Sequence, residues 1–270
     1  MDFASINGVR LAYTDQGVGE PVLCIHGAFV PDAFVPLFRE PVLADRYRLV
    51  RYHRRGYGKS ARTDAPASIA TQAADALGVL DHLGIETAHV VGYSYGGPIA
   101  LQLALDAPQR VHSLALLEPA LPSVLLDAPE IRAALAEALP IYLAGDTERA
   151  VDLFITGLGG LDFRAAFARN LPPDAYDRVL ASVTPLLQDD LPALRAWTFT
   201  AEDAARIRQP VLNVVGAESF TFSRRAHKQI AAWFPQAEAY VLPGASHTLL
   251  IANPHDMAVA LAGFLARHPL

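Results

Sequence analysis

One serine of this chain stands between two glycines, at a point where a buried strand would become a helix. The segment Gly-Tyr-Ser-Tyr-Gly at 92–96 follows the apolar pair Val90 and Val91 and precedes a helix-like apolar pattern. On such a turn the serine is exposed, and the glycines permit the strained backbone that the turn requires. The N–H groups at the start of the following helix would also favour negative charge beside the serine. The sequence therefore predicts that Ser94 is a nucleophile.

A glycine-rich junction of this kind can instead bind phosphate, but the spacing here is different. Dinucleotide-binding turns have the pattern Gly-x-Gly-x-x-Gly, and phosphate loops end in Gly-Lys followed by Ser or Thr. The segment at 92–97 reads Gly-Tyr-Ser-Tyr-Gly-Gly and has neither pattern. The spacing thus favours a nucleophile turn over a nucleotide site.

A serine hydroxyl needs a neighbouring base, and His247 is the strongest candidate among the nine histidines. It follows Gly244 after the last predicted strand, which brings it to the same edge of the sheet as Ser94. His26 also ends a strand, but beside Gly27 it is expected to shape the loop through backbone hydrogen bonds. His82, His89 and His112 fall near strand beginnings or on helices, at the opposite end of the sheet, and His227, His255 and His268 are expected on helix surfaces.

The elements that must position these side chains alternate between strands and helices. Residues 3–14 alternate in polarity around Asn7-Gly8, which indicates an antiparallel hairpin at one edge of a sheet. The buried runs and helices that follow predict a mostly parallel sheet with helices on both faces, and hence an α/β fold. The predicted strands are 21–26, 47–53, 88–93, 111–118, 210–216 and 237–244, and the predicted helices lie near 68–84, 95–107, 223–234 and 254–267.

One interval, residues 119–208, contains no convincing strand. Helical segments fill it, and prolines at positions 122, 129, 140, 172, 173, 185 and 192 interrupt them. An interval of this length is far longer than an ordinary loop between two strands. We therefore expect a helical insertion between two strands of the sheet.

Further segments resemble motifs of the α/β-hydrolase superfamily and occur in the same order. His-Gly-Ala-Phe at 26–29 resembles its oxyanion segment. Arg-Arg-Gly-Tyr-Gly-Lys-Ser at 54–60 resembles its Arg-Gly-x-Gly-x-Ser turn, although His53 stands where an Asp is usual. The segment 243–254 resembles its C-terminal histidine loop.

This resemblance covers nearly the whole chain and implies the α/β-hydrolase fold, with a mostly parallel eight-stranded sheet and helices on both faces. It implies that residues 1–118 and 209–270 form the core and that the insertion at 119–208 is a helical cap. The motifs are specific for the superfamily but not for a substrate.

The acid that would orient His247 departs from the superfamily's usual pattern. The resemblance places an Asp three residues after the glycine that ends the penultimate strand, but Ser219 holds that position and Glu218 precedes it. Glu118, at the end of the strand after Ser94, is the alternative, since a minority of the superfamily takes its acid from that strand end. A carboxylate at either strand end can reach the histidine, so both remain candidates and Glu118 is favoured.

If Ser94 attacks a carbonyl, the developing oxyanion needs two backbone N–H donors. The resemblance assigns these to Tyr95, which follows the nucleophile, and to Ala28, which follows the His-Gly pair. Apolar side chains near the site are expected to line a substrate pocket. The candidates are Phe29, Trp197 and Leu249.

Composition argues against several other classes of protein. A net charge of −6 without a basic tract gives no reason to expect nucleic acid or an anionic membrane as a partner. No apolar run reaches the roughly 18–20 residues of a membrane span, and we expect no signal peptide. The lone Cys24 excludes an intramolecular disulfide, and no spacing of residues indicates a metal site or a cofactor. We expect a cytoplasmic protein that acts on a small molecule; a homodimer is possible.

The leading hypothesis is a serine hydrolase that cleaves a small, largely apolar ester, thioester or lactone through an acyl-enzyme. A C–C bond hydrolase, a hydroxynitrile lyase or a perhydrolase could use the same three residues, so these reactions stay open. A haloalkane dehalogenase is disfavoured because it needs a carboxylate nucleophile at position 94. A non-catalytic ligand-binding protein of the same fold is the remaining alternative, suggested by the missing acid at Ser219.

Overall fold

The sheet that positions the candidate site has eight strands. A computed structural model describes residues 1–63, 66–159 and 163–270. The strands are β1 Asp2–Ile6, β2 Val9–Gln16, β3 Glu20–Ile25, β4 Tyr47–Tyr52, β5 Ala88–Tyr93, β6 Val111–Leu117, β7 Val211–Gly216 and β8 Glu238–Leu242. They form a sheet in the order β1-β2-β4-β3-β5-β6-β7-β8, and the pairs β1–β2 and β2–β4 are antiparallel while the others are parallel. The expected mostly parallel eight-stranded sheet, with the hairpin at one edge, is confirmed.

Helices connect the strands and follow the last one. The helices of the core are α1 Pro41–Ala44, α2 Ile69–His82, α3 Gly96–Asp106, α12 Thr221–Trp233, α13 Leu249–Ala252 and α14 Pro254–Arg267. The four helices predicted from the sequence correspond to α2, α3, α12 and α14. Between β6 and β7 lie α4 Pro122–Leu125, α5 Pro129–Leu143, α6 Thr147–Gly159, α7 Phe163–Asn170, α8 Ala175–Ala181, α9 Val183–Pro185, α10 Leu191–Ala196 and α11 Ala201–Arg206.

Both faces of the sheet are covered, as the unalternating strands predicted. Successive residues of β3 enter opposite apolar clusters: Val22 and Cys24 point into one, and Leu23 and Ile25 point into the other. The first cluster includes residues of α1 and α14, and the second includes residues of α2, α3 and α12. Side chains on both faces are therefore removed from water, which is the usual source of stability in a parallel sheet.

The insertion between β6 and β7 is helical, and its described residues form no strand. We call residues 119–208 the cap; that they form a domain separate from the core at 1–118 and 209–270 stays a prediction. Residues 160–162 of this interval lie outside the described residues.

A buried carboxylate in the loop after β3 joins the cap to the core. Asp32 accepts from Arg178 Nε of α8 at 2.6 Å and lies 3.3 Å from His53 Nε2. Hydrogen bonds and opposite charge on its partners outweigh its burial and lower the pKa of Asp32. His53, which stands where the superfamily usually has an Asp, thus receives its carboxylate partner from a different loop.

None of the helices formed by the described residues is both long and apolar enough to cross a bilayer. The cytoplasmic location and the homodimer stay predictions.

Candidate active site

Three side chains from distant parts of the chain meet at one edge of the sheet. The Nε2 atom of His247 lies 3.1 Å from Ser94 Oγ, and its Nδ1 atom lies 2.6 Å from Glu118 Oε2. Both distances are hydrogen-bonding distances, and each ring nitrogen faces one partner. The structure thus brings the predicted nucleophile, base and acid together in the order that activation of a serine requires.

The parallel strands explain why these three residues converge. Ser94 follows β5, Glu118 follows β6, and His247 lies in the loop after β8. Parallel strands end at the same edge, so the loops that follow them lie close together. The loop of His247 must pass over the end of β7, where a Cβ on Gly216 would lie 2.2 Å from Ala245 O. A glycine at the end of β7 is therefore needed for His247 to reach the other two residues.

The backbone is strained at three non-glycine residues of this edge. The φ angle is 51° at Ser94, 47° at Glu118 and 64° at Phe29. Left-handed conformations of this kind cost of order 1–3 kcal/mol each and persist where surrounding contacts hold them. Gly96 is needed because a Cβ there would lie 2.1 Å from Ile25 O of the neighbouring strand. The tight turn that displays Ser94 thus depends on the glycine that follows it.

Glu118 is buried, and both of its carboxylate oxygens accept hydrogen bonds. Its Oε1 accepts from the Gly216 N–H at 2.7 Å and from the Ser219 hydroxyl, while Oε2 faces His247. Burial raises the pKa of Glu118, but His247 and these donors outweigh burial and hold the pKa below its ordinary value. Glu118 is therefore a carboxylate at neutral pH that can stabilise a positively charged imidazole.

The second carboxylate that the sequence left open lies elsewhere. Glu218 is exposed, whereas the next residue, Ser219, is buried and donates its hydroxyl proton to Glu118. Of the two candidate carboxylates, Glu118 is the one at hydrogen-bonding distance from His247. Ser219, at the position where an Asp is usual, contributes a donor to the carboxylate of the neighbouring strand end.

His26 lies close to the site but is occupied by backbone contacts. Its Nε2 accepts from the Arg54 N–H at 2.9 Å, so Nδ1 carries the proton and donates to Gly27 O at 2.6 Å. Burial lowers the pKa of His26 well below its ordinary value and keeps the ring neutral. His26 shapes the loop after β3 and is not available as a base for Ser94.

Ala28 and Tyr95 line the cavity beside the nucleophile. Their loops are in close contact, since a Cβ on Gly27 would lie 2.9 Å from Ser94 Cβ. Within the described part of the chain, neither amide donates a hydrogen bond to a protein group. Both are available to a ligand oxygen, and their use as an oxyanion hole stays a prediction.

Ser94 and His247 open into an apolar cavity of about 110 Å³. This is several times the roughly 10–15 Å³ that one water molecule needs. No arginine or lysine lines it among residues 1–63, 66–159 and 163–270. The cavity therefore suits an uncharged apolar group. The cap residues that line it include Phe154, Phe167, Leu186, Leu191 and Leu194.

Phe29 lines this cavity as expected, but the prediction for Trp197 is wrong. The indole N–H of Trp197 donates to Gln102 Oε1 of α3 at 2.8 Å, and its ring stacks on Phe199. Trp197 is thereby held against the core, away from Ser94, and faces a separate surface groove. Its aromatic side chain stabilises the junction of cap and core.

The prediction for Leu249 is also wrong. Leu249 is fully buried in the apolar cluster that includes α14, whereas Thr248 and Ile251 line the cavity. The first turn of α13 decides this, because residues three apart on a helix share a face and Leu249 points to the other side.

Sequence reasoning missed several residues that line the cavity, among them five leucines of the cap: Leu125, Leu135, Leu186, Leu191 and Leu194. Leucines at helical spacing are common in any packed helix, so their pattern carried no signal for a pocket. Which of these leucines line the cavity depends on the elements that pack against their helices.

The strand-to-helix turn that displays Ser94 in a mostly parallel sheet is the arrangement that characterises α/β hydrolases. A family model for the alpha/beta hydrolase fold matches residues 20–254, which is most of the chain. The chain therefore belongs to the α/β-hydrolase family, as its motifs indicated.

Individual relatives fall into several kinds of protein. Over 118 residues the chain is 46% identical to the dihydrolipoyllysine-residue acetyltransferase component of the acetoin cleaving system of Cupriavidus necator, covering 43% of this chain but 31% of that protein's length. It is 30% identical over 273 residues to 2-hydroxymuconate semialdehyde hydrolase of Pseudomonas sp. strain CF600, covering 96% of this chain and 91% of that protein. A solved structure described as Est816, an N-acyl homoserine lactone degrading enzyme, superposes with a TM-score of 0.74 at 25% identity, covering 97% of this chain and 100% of that one.

Proposed function

We propose that the protein is a serine hydrolase that cleaves a small, largely apolar ester, thioester or lactone. The observation that carries this proposal is the line of hydrogen bonds from Glu118 through His247 to Ser94, at the wall of an apolar cavity. A serine in this arrangement can transfer its proton to the imidazole as it attacks, and a neighbouring carboxylate stabilises the imidazolium that forms.

The reaction proceeds through an acyl-enzyme. Ser94 Oγ attacks the carbonyl carbon, its proton passes to His247 Nε2, and the carbonyl oxygen becomes an oxyanion bound by the N–H groups of Ala28 and Tyr95. Collapse of this intermediate breaks the acyl–oxygen or acyl–sulfur bond, and the leaving group takes the proton from His247. Water then attacks the acyl group by the same steps in reverse, which releases the acid and restores Ser94.

The substrate class follows from the cavity. Apolar side chains of core and cap surround Ser94, so burial of a hydrocarbon acyl group supplies the binding energy, at about 0.8 kcal/mol per methylene. A free carboxylate on the substrate would be desolvated in this cavity without a lining arginine or lysine among the described residues. We therefore favour a neutral ester, thioester or lactone. The similarity to the solved structure described as a lactone-degrading enzyme agrees with this choice.

A second candidate is hydrolysis of a C–C bond by the same triad. It is favoured by the full-length similarity to 2-hydroxymuconate semialdehyde hydrolase. The semialdehyde of a muconic acid retains a carboxylate, and the apolar lining around Ser94 has no cation to receive it within the described ranges. The cavity thus argues for the uncharged substrate, and a panel that contains both substrate types separates the two functions.

Covalent labelling tests the proposal directly. We expect a fluorophosphonate to modify the protein once, on Ser94, because His247 makes this hydroxyl nucleophilic. Peptide mass spectrometry would locate the adduct, and Ser94→Ala should abolish it. Ser123→Ala, which removes an exposed hydroxyl on α4, should label as the wild type does. An unlabelled wild-type protein would contradict the proposal and favour a non-catalytic binding protein.

Phe154 is expected to limit the length of the acyl chain. Its ring lies 5.2 Å from that of Phe29, and both rings line the main cavity and a smaller adjoining cavity of about 30 Å³. Phe154→Ala would join the two cavities, so each additional methylene of a longer acyl chain could be buried. We expect the kcat/KM ratio of an octanoate to a butyrate ester to rise by about tenfold or more.

Trp197→Ala is the matched control for this prediction, since it removes a large cap aromatic outside the cavity. It should lower the melting temperature without changing the chain-length ratio, because Trp197 packs on α3 and Phe199. A shift of the ratio in Trp197→Ala but not in Phe154→Ala would contradict the assignment of the cavity wall.

A further inference from the structure

A buried arginine connects the cap to the loop that borders Ser94. Arg54 and Asp190 are each 1% exposed, and their side chains pair through two contacts, NH1 to Oδ1 at 2.9 Å and NH2 to Oδ2 at 2.8 Å. The same NH2 group donates to Gly27 O at 3.1 Å. One guanidinium therefore holds a cap carboxylate and a carbonyl of the oxyanion segment at the same time.

That carbonyl belongs to the peptide unit that supplies an oxyanion donor. Gly27 C=O and Ala28 N–H are parts of one planar group and point in opposite directions. Gly27 O accepts from Arg54 NH2 on one side and from His26 Nδ1 on the other. Two donors on the oxygen fix the rotation of this peptide and hence the direction of the Ala28 N–H. They also polarise the peptide, which strengthens the hydrogen bond that the N–H can donate.

The second oxyanion donor is close to the same guanidinium. The Tyr95 ring lies 4.6 Å from Arg54 Cζ, and the Tyr57 ring lies 4.3 Å from it, so the guanidinium is flanked by both rings. Such cation–π contacts stabilise a desolvated cation and restrain the rings. Arg54 thus packs against the residue whose amide follows Ser94.

Asp190 connects this arrangement to the cap residues that line the cavity. It ends the helical turn Leu186–Asp190, and both Leu186 and the following Leu191 line the cavity. Tyr57 OH donates to Asp190 Oδ2 at 2.6 Å, which leaves the carboxylate well paired although it is buried. Any shift of this cap segment would move Asp190 and weaken the hydrogen bond that Arg54 donates to Gly27 O.

A buried ion pair adds little stability by itself, because desolvation of the two charges offsets their attraction. Its position against the oxyanion peptide indicates another role. We propose that Arg54, held by Asp190 of the cap, is a positioning residue that orients the Ala28 N–H. The oxyanion hole is then complete only while the Leu186–Asp190 segment of the cap stays packed against the core. This inference rests on the proposed serine hydrolase function and assigns a role within it.

The experiment compares an activated ester with its thiono analogue, in which sulfur replaces the carbonyl oxygen. Backbone N–H groups bind a developing oxyanion strongly and a sulfur anion poorly, so the ratio of the two kcat/KM values reports the oxyanion hole itself. Partial unfolding or a smaller fraction of active enzyme lowers both values equally and leaves the ratio unchanged.

We expect Arg54→Lys to lower kcat/KM for the ester by about 10- to 100-fold, since a lysine cannot hold Asp190 and Gly27 O together. The thionoester should lose less, so the ester preference falls, and the loss should appear in kcat rather than KM. Asp190→Asn should act in the same direction. Tyr57→Phe, which removes one hydrogen bond to Asp190 and keeps both charges, provides a milder variant if the other two do not fold.

Asp189→Asn is the matched control, because Asp189 adjoins Asp190 but pairs at the surface with Arg62 at 3.8 Å. It should keep both rates and their ratio. If the folded Arg54, Asp190 or Tyr57 variants lose ester and thionoester turnover by the same factor, the guanidinium is structural and the inference is overturned. If the wild type turns over neither substrate and Ser94 is not labelled, the proposed function fails, and the inference fails with it.

Discussion

Ser94→Ala is expected to reduce the turnover of an activated ester by about 10⁴-fold or more while the protein stays folded. The substitution removes the oxygen that would attack the carbonyl but leaves the cavity and the amides of Ala28 and Tyr95 in place. Residual activity should come from binding and the oxyanion donors alone. Steady-state kinetics beside circular dichroism and thermal melting would measure the effect.

The φ angle of 51° at Ser94 means that the backbone there is strained, so the folding control is necessary. Alanine is strained about as much as serine in this left-handed conformation. The melting temperature of Ser94→Ala should therefore stay near that of the wild type. Turnover close to the wild-type value would exclude Ser94 as the nucleophile and with it the proposed triad.

Glu118→Gln is expected to reduce turnover by up to about 10⁴-fold, which corresponds to roughly 5 kcal/mol of barrier. Glutamine keeps the shape and can still accept from the Gly216 N–H through its oxygen. Its NH₂ group would face His247 Nδ1, which favours the tautomer that carries its proton on Nε2. That tautomer cannot accept the proton of Ser94, and no charge remains to stabilise an imidazolium.

Glu218→Gln is the matched control, since it makes the same chemical change at the exposed carboxylate one residue before Ser219. Its turnover should stay within a few-fold of the wild type, because Glu218 does not contact His247. The converse result, an impaired Glu218→Gln beside an active Glu118→Gln, would move the acid to the end of β7. If neither variant loses activity, Ser94 and His247 act as a pair without a carboxylate.

Features that depend on residues close together in the chain could be predicted from the sequence. Buried β-rich runs, helical periodicity and the turn residues around Ser94 are local patterns, and they indicated the sheet and four core helices. Because loops after parallel strands meet at one edge, strand order alone placed Ser94 and His247 on the same side. The family resemblance added Ala28 and Tyr95 as candidate oxyanion donors.

Predictions about the cap were weaker because its helices offer several faces. Phe29, in the loop after the core strand β3, lines the cavity, whereas Trp197 packs on Gln102 and Phe199 instead. An apolar side chain on an amphipathic helix is buried by whichever surface lies against it, and the sequence does not specify that surface. The prediction for Leu249 was wrong for the same reason, because Leu249 lies on the face of the short helix α13 that points away from the cavity.

By itself, the sequence determined the α/β class, the insertion between two strands, and Ser94 and His247 as candidate nucleophile and base. The tertiary structure favours Glu118 over Glu218 as the acid, because it places Glu118 Oε2 2.6 Å from His247 Nδ1 and leaves Glu218 in solvent. The pairing of Arg54 with Asp190, 136 residues apart, was also decided there. The physical reason is that hydrogen bonds act over about 3 Å, and distances between residues remote in the chain are set by packing rather than by local pattern.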